Sequence, residues 1–434
     1  MKKGMLRGAL FLSAAGVICK VVGAIYRVPL TNILGAEGLG AYQMVFPVYA
    51  VLLTLSSTGI PSALSKLIAE GKDPSQILKR SLLFFGGIGA IFTLLTYFFA
   101  ENIAALQGNI DIASTYKALS PSIFIVSLIS CFRGYCQGKR NMLPTALSQV
   151  VEQVVKLLFG LTLCSLFGST PYEKAALATL AVTVSELIAL IIVIIAYKKE
   201  KSDTIGENAR LKSIIAIVFP ITLSAIMLPL SKTVDGFLAV NLFGDNRSVA
   251  TSLFGLYSGA TESIISLPVA LCYAVAVSAL PELSSDKQSL EKRFRPIYIT
   301  LAISAITGLL TYFSARLAVN ILYFSLSEEN KTILELLIEA STAQVVGLGL
   351  LQTSGAVLIA NDRLYLPCIH LAVGIVLKII LTFVLVPNGY GVFGLSLADT
   401  FIYLFVGISD LVSVIALNKT RQTDISIKLK RIKA

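Results

Sequence analysis

Charge is what this chain has least of. Only 14% of its 434 residues are charged, against about 25% in a water-soluble domain, and its mean hydropathy is +0.80. A soluble globule is excluded. Tryptophan is absent, so tyrosine must supply any aromatic belt at a membrane interface. Histidine occurs once, at His370, and no metal-ligand cluster accompanies it. There is no glycine-rich phosphate loop and no nucleophile motif, so ATP is not expected as the direct fuel and an enzyme is not expected. Cofactors are expected to be none, apart from coupling to Na+ or H+. The six cysteines (Cys19, Cys131, Cys136, Cys164, Cys272, Cys368) lie in or at the ends of apolar runs. They read as small buried residues rather than disulfides.

What the chain does have is twelve long apolar runs, near 8–33, 43–68, 81–100, 113–136, 144–168, 175–197, 213–240, 250–280, 297–318, 333–360, 364–387 and 391–417. Each approaches the roughly 20 residues that cross a hydrocarbon core as a helix. They are continuous rather than alternating, which excludes a barrel of strands. The expected fold is an all-α polytopic membrane protein of about twelve transmembrane helices in two six-helix lobes. The N-lobe takes residues 1–200 and the C-lobe 201–434, with a tail at 418–434 and a charged linker at 198–212. Lys2, Lys3 and Arg7 precede the first run as they would in a signal peptide. The run continues past Lys20 without a small-residue cleavage site, so it reads as a retained first helix.

Lys and Arg gather on alternate connections, at Lys72, Lys79 and Arg80, at Lys139 and Arg140, at Lys198 to Lys212, at Lys287 to Arg295, at Arg363 and in the tail. By the positive-inside rule both termini face the cytoplasm of a bacterial plasma membrane. This topology signal accounts for most of the formal charge of +11, and nucleic-acid binding is not expected. Each lobe starts from the same side, as parallel repeats do. Three echoes fit a duplication: Asn32-Ile33-Leu34-Gly35 with Asn241-Leu242-Phe243-Gly244, Ile60-Pro61 with Leu267-Pro268, and Arg140-Asn141-Met142-Leu143-Pro144 with Arg363-Leu364-Tyr365-Leu366-Pro367.

Charges within a bilayer cost about 2.5–3.5 kcal/mol on insertion scales, so they face a cavity or a partner. Lys20 and Arg27 lie seven residues apart on one face of the first run, with no acid beside them. They read as cavity cations suited to phosphate, with snorkelling toward the interface as the alternative. Glu152 and Lys156 are spaced i,i+4, and Lys232 and Asp235 i,i+3, which allows internal ion pairs. Glu186, Glu262, Lys378, Asp399 and Asp410 stand singly in their runs. For His370 a packing or hydrogen-bonding role is preferred to a proton relay.

The segment RGYCQGKRNMLPTALSQVVEQ from Arg133 to Gln153, GAEGLGAYQ from Gly35 to Gln43, and GIPSALSK from Gly59 to Lys66 resemble the stage V sporulation protein B and polysaccharide biosynthesis flippase family. That family belongs to the superfamily joining MATE exporters and MviN-type lipid II flippases. Leu267-Pro268-Val269-Ala270 and Ala279-Leu280-Pro281-Glu282-Leu283-Ser284 are similar to the eighth helix of the lipid II flippases. The resemblance implies a flippase for a polyprenyl-pyrophosphate-linked saccharide, such as a peptidoglycan precursor or an exopolysaccharide unit, working by alternating access. It implies that Arg27 and Lys20 hold substrate, although a Lys at the first position and a spacing of seven depart from the family pattern. Lys156, Glu152, Gln149 and Lys232 are further candidate substrate contacts. Some lipid II flippases draw a sodium site from helices 7, 11 and 12. By that likeness Asp235 and Asp399 are the ion-coupling candidates, and the eleventh run offers neither an acid nor an asparagine. Expected partners are the lipid-linked glycan, membrane lipids and cell-wall synthesis enzymes. Many such flippases carry two further helices that cradle the lipid tail. Twelve runs therefore keep a cation-coupled MATE-type multidrug exporter as the alternative.

Overall fold

The computed structural model describes the backbone of residues 2–200, 207, 210–244, 246–285 and 290–433. Side chains are described over a narrower set that leaves out Lys20 and residues 418–433, and most of the charged linker lies outside the described residues. The described residues form α-helices and no strand: α1 (Lys2–Ser57), α2 (Ile60–Ala69), α3 (Pro74–Phe98), α4 (Ala100–Leu106), α5 (Ala113–Gly138), α6 (Leu143–Phe167), α7 (Pro171–Glu200), α8 (Leu211–Leu242), α9 (Arg247–Phe254), α10 (Glu262–Ser285), α11 (Leu290–Leu322), α12 (Glu328–Ser341), α13 (Ala343–Ala360), α14 (Tyr365–Leu385) and α15 (Gly391–Lys433). They divide into two compact units, residues 1–259 and 260–434.

Ten segments of the described chain are long and apolar enough to cross a bilayer. Two, Ala14–Ala69 and Tyr365–Leu417, hold 56 and 53 residues. At 1.5 Å per residue such a helix would run ~80 Å, against ~30 Å of hydrocarbon. Both turn back on themselves. In α1, Gly35 leaves helical geometry (φ 67°, ψ −177°). Before it Tyr26 packs on Gly160 of α6, and beyond it Gly38 meets Pro171 and Tyr49 meets Glu186 of α7, the helix that returns from α6. In the other segment the contacts nest around residue 389. Leu385 meets Gly394, Lys378 meets Asp399, Gly374 meets Ile402 and Val406, and His370 meets Asp410. The chain thus makes twelve crossings, one for each apolar run. Large apolar side chains such as Phe98 and Phe313, 72% and 80% exposed, would be untenable in water at this density and are at home against lipid.

One repeat echo extends to local geometry, and a second does so one residue out of register, with Arg140 matching Asp362 rather than Arg363. The Asn32 amide donates to the Val28 carbonyl and the Asn241 amide to the Phe237 carbonyl, each four residues back. Three residues after each asparagine a glycine takes positive φ, 67° at Gly35 and 106° at Gly244. The ends of α5 and α13 are also alike. The Arg140 and Asp362 amides bond three residues back, and the Asn141 and Arg363 amides five residues back. Arg140 and Asp362 take φ of 64° and 62°, an arrangement that closes a helix by a left-handed residue.

In the first unit α2, α3, α5, α7 and α8 share a core of Ile60, Leu64, Ile68, Ile77, Phe85, Ile129, Tyr135, Val193, Ile214 and Val218. The glycines of the Arg133–Gln153 motif explain one contact. Gly134 and Gly138 lie one turn apart and press against Leu64 and Ile68 of α2, the close approach that small residues spaced by four allow between membrane helices. In the second unit Leu283, Ile297, Leu350, Val357, Leu358 and Val414 form the corresponding core.

Candidate functional site

Five ionisable side chains of the first unit converge from four helices. On α6, Gln149, Glu152, Gln153 and Lys156 occupy one face by their spacing, and all four are half-buried. That face looks onto α1: the Gln153 amide oxygen lies 3.9 Å from where a Cβ on Gly23 would sit. The Lys156 ammonium lies over the ring of buried Tyr26, 5.8 Å from its centroid, at cation–π range. Tyr26 in turn packs its hydroxyl end against Gly160. Arg27 follows Tyr26 directly and is exposed.

The internal pair that the sequence allows between Glu152 and Lys156 is not what holds Glu152. Arg133 of α5 donates from its terminal nitrogen to Glu152 Oε2 at 3.1 Å and from Nε to Ser148 Oγ at 3.0 Å. Lys156 interacts electrostatically with Glu152, Glu186 and Arg27. Glu186 of α7 is buried; Tyr49 of α1 donates to its Oε1 at 2.7 Å, and Ser122 of α5 donates to the Tyr49 hydroxyl at 2.7 Å. The result is a polar cluster holding Arg27, Arg133, Lys156, Glu152 and Glu186, formally one positive charge in excess. Its most exposed member is a guanidinium, and its ammonium is held by an aromatic face rather than by a carboxylate.

The other candidates fall elsewhere. Lys20 lies on α1, with its side chain outside the described residues. Lys232 of α8 places its ammonium over Tyr257, 5.8 Å from the ring centroid. Asp235, also on α8, is buried. Asp399 belongs to the second unit, where it is ion-paired with Lys378 of α14, both side chains fully buried. His370 also finds an acid: its Nδ1 lies 2.7 Å from Oδ1 of fully buried Asp410. Sequence reasoning left Arg133, Tyr49 and Ser122 out of the site. Arg133 sits at the end of an apolar run, where a cation looks like a topology mark. Its clue was Ser148 and Glu152, one turn apart on the next helix.

Comparison with known proteins places this arrangement. The family described as Polysaccharide biosynthesis protein matches residues 5–285. The chain belongs to that family. The membrane protein YabM of Bacillus subtilis (strain 168) is 30% identical over 416 residues, covering 90% of this chain and 76% of YabM. Stage V sporulation protein B of the same organism is 30% identical over 308 residues, covering 66% of this chain and 59% of that protein. Among solved structures, a lipid II flippase MurJ in an inward closed conformation superposes with a TM-score of 0.77 at 18% identity, covering 94% of this chain and 87% of that one. An inward-facing multidrug resistance MATE family transporter gives 0.75 at 16% identity, with 92% and 96% covered. The relatives with a named activity are thus a flippase and transporters, not catalysts. This member of the polysaccharide biosynthesis family is a multi-pass cell-membrane protein, with the fold that those flippases and exporters share.

Proposed function

We propose that the protein flips a polyprenyl-pyrophosphate-linked saccharide across the membrane by alternating access, with Arg27 and Lys156 receiving the pyrophosphate. The observation that carries this reading is the engagement of Glu152 by Arg133. It leaves the neighbouring ammonium over the Tyr26 ring and near the exposed Arg27 guanidinium. A guanidinium matches phosphate oxygens in a two-pronged fashion, and an ammonium adds a compact point charge. Gln149 and Gln153 on the same helix face offer amides to sugar hydroxyls. The lipid tail stays in the bilayer, and both termini lie on the cytoplasmic side, as the Lys/Arg asymmetry argues. Asp235 is the ion-coupling residue we favour. Substrate binding drives transport only as far as it favours one state over the other.

The test is exposure of the lipid-linked precursor on the outer leaflet after depletion of the protein in its own host. Wild type restores exposure; Arg27→Ala and Lys156→Met, inserted at normal levels, do not. An inserted Arg27→Ala protein that still flips substrate defeats the cationic mechanism. A second reading, cation-coupled export of amphipathic drugs, draws on the near-complete overlap with a MATE-family transporter. Unchanged precursor together with raised drug sensitivity favours it.

A further inference from the structure

The second unit carries two ionisable pairs stacked along the α14–α15 hairpin, and they differ in one respect. Lys378 and Asp399 are both fully buried. In the other pair Asp410 is fully buried, whereas the His370 side chain keeps 20% of its surface exposed. Eight residues separate His370 from Lys378, so the pairs lie ~12 Å apart along the helix axis at 1.5 Å per residue. His370 also borders an open, mostly apolar groove of about 620 Å³, otherwise lined by α15 residues that include Phe401, Leu404, Phe405, Ile408, Ser409 and Val412.

Asp410 is held from one side only. Its Oδ1 meets the His370 imidazole, and its Oδ2 is buried with no hydrogen-bond partner among the described residues. On α13, a Cβ built on Gly355 would lie 3.6 Å from Oδ2. Among the described residues, few other titratable groups face the pair. On α13 no residue from Ala343 to Ala360 is titratable. On α14 the other titratable group facing Asp410 is the Cys368 thiol. Asp362 and Arg363 lie outside α14, in the turn before its first residue Tyr365. The acids of α12 lie toward the far end of α15, where Ser341 meets Ser396, ~21 Å along the axis from Asp410.

A bare carboxylate with one unpartnered oxygen is costly in a hydrocarbon interior. A single added proton removes that cost, because the pair is then neutral as a whole. The proton resides either on the imidazole, giving carboxylate beside imidazolium, or on the carboxyl beside neutral imidazole. A hard metal cation would need six or more oxygens, and the described residues hold no group of three His, Cys, Asp or Glu side chains that could bind a metal. The partly exposed imidazole opens the pair to the groove.

We propose that His370 and Asp410 form a proton-binding site in the second unit, carrying one exchangeable proton that is bound and released through the groove that His370 borders. Its role in transport rests on the flippase reading above; the binding of the proton does not. Neutral when protonated, the pair tolerates the dry hairpin. Deprotonated, it favours whichever arrangement of α14 and α15 admits water to Asp410, and this differential gives proton binding a purchase on conformation.

The test is pH-difference infrared spectroscopy of the purified protein in lipid nanodiscs, stepped between about pH 5 and 8, the range over which histidine sites change charge. Wild type is expected to show imidazole bands and a protonated-carboxyl stretch that titrate together. Asp410→Asn should delete that carboxyl component, and His370→Gln should move its midpoint by at least one pH unit, a ten-fold change in proton affinity. A spectrum unaltered by Asp410→Asn overturns the proposal. Should Asp410→Asn fail to insert, His370→Gln decides alone, an unmoved midpoint being the overturning result. Because the spectrum reads protonation and not flipping, failure of the flippase reading leaves its outcome intact, and the converse also holds.

Discussion

Replacing Glu152 by Gln tests the arrangement on which the substrate site depends. The change keeps the shape of the side chain and removes the charge that Arg133 meets at 3.1 Å. The two side chains are 12% and 21% exposed, so water screens the pair only in part. Hydrogen bonds to charged groups contribute about 1.5–3 kcal/mol net, whereas neutral interhelical hydrogen bonds inside membranes average only about 0.6 kcal/mol. Glu152→Gln leaves the guanidinium with Ser148 as its remaining partner, and a mostly buried cation deprived of its acid costs about 3 kcal/mol. Arg133→Gln should cost a similar amount. The double variant pairs two amides and should cost no more than either single change, so a double-mutant cycle should return a coupling of about 3 kcal/mol or more. The assay is reversible unfolding in mixed lipid–detergent micelles, followed by helical circular dichroism for the four proteins. A coupling no larger than the 0.6 kcal/mol of a neutral hydrogen bond would refute the reasoning. Glu152 would then be available to pair directly with Lys156, and the ammonium would no longer be left to the Tyr26 ring for its direct contact.

Three further outcomes are expected. Lys378→Met alone should destabilise the second unit by about 3–5 kcal/mol by stranding the buried Asp399 carboxylate, while Lys378→Met with Asp399→Asn should recover most of it in the same unfolding assay; equal stability of single and double variants contradicts this. Gly40→Ala drives a Cβ into the backbone carbonyl of Thr251, whereas Gly16→Ala meets nothing within 4 Å. The first should lower the yield of folded protein on size-exclusion chromatography and the second should not; equal yields would show that α1 and α9 do not pack this closely. At the surface, the Lys72 ammonium hydrogen-bonded to Glu207 holds that carboxyl below its ordinary range. The stabilisation is therefore present above the unfolded pKa and lost as pH falls through the lowered one, and salt screens it because the pair is exposed. Hydrogen exchange at the Asp73 amide, which donates to the Glu207 carbonyl, should speed up in Glu207→Gln relative to wild type at low salt, with the difference vanishing at high salt; a difference that persists at high salt counts against the ion pair.

How far the sequence was legible follows from the range of the forces involved. Apolar runs announce themselves locally, because each helix must satisfy its own backbone hydrogen bonds in lipid and present an apolar surface to it. The runs near 113–136, 144–168 and 213–240 accordingly reappear as α5, α6 and α8 with ends shifted by a few residues. The echoes at Asn32-Gly35 and Asn241-Gly244 were legible for the same reason: a side chain bonding four residues back and a glycine at positive φ are local devices. Family membership was legible in the Arg133–Gln153 motif, whose glycines, Ser148 and Glu152 all have work to do in helix contacts.

Partner choice among the charges was not legible. Glu152 had Lys156 at an ideal helical spacing, yet took Arg133 from nineteen residues away. Lys378 and Asp399, and likewise His370 and Asp410, stood as single charges until a hairpin turning near residue 389 set them opposite each other. A shift of one or two residues in that turn would have rotated each partner onto another face of its helix, since successive residues lie 100° apart in a helix of 3.6 per turn. Hydrophobicity alone thus determined that this chain crosses a membrane twelve times. Tertiary packing decided which of its few charges neutralise one another and which remain to meet a substrate or a proton, because in a low-dielectric interior that choice depends on distances of a few ångströms that no local pattern encodes.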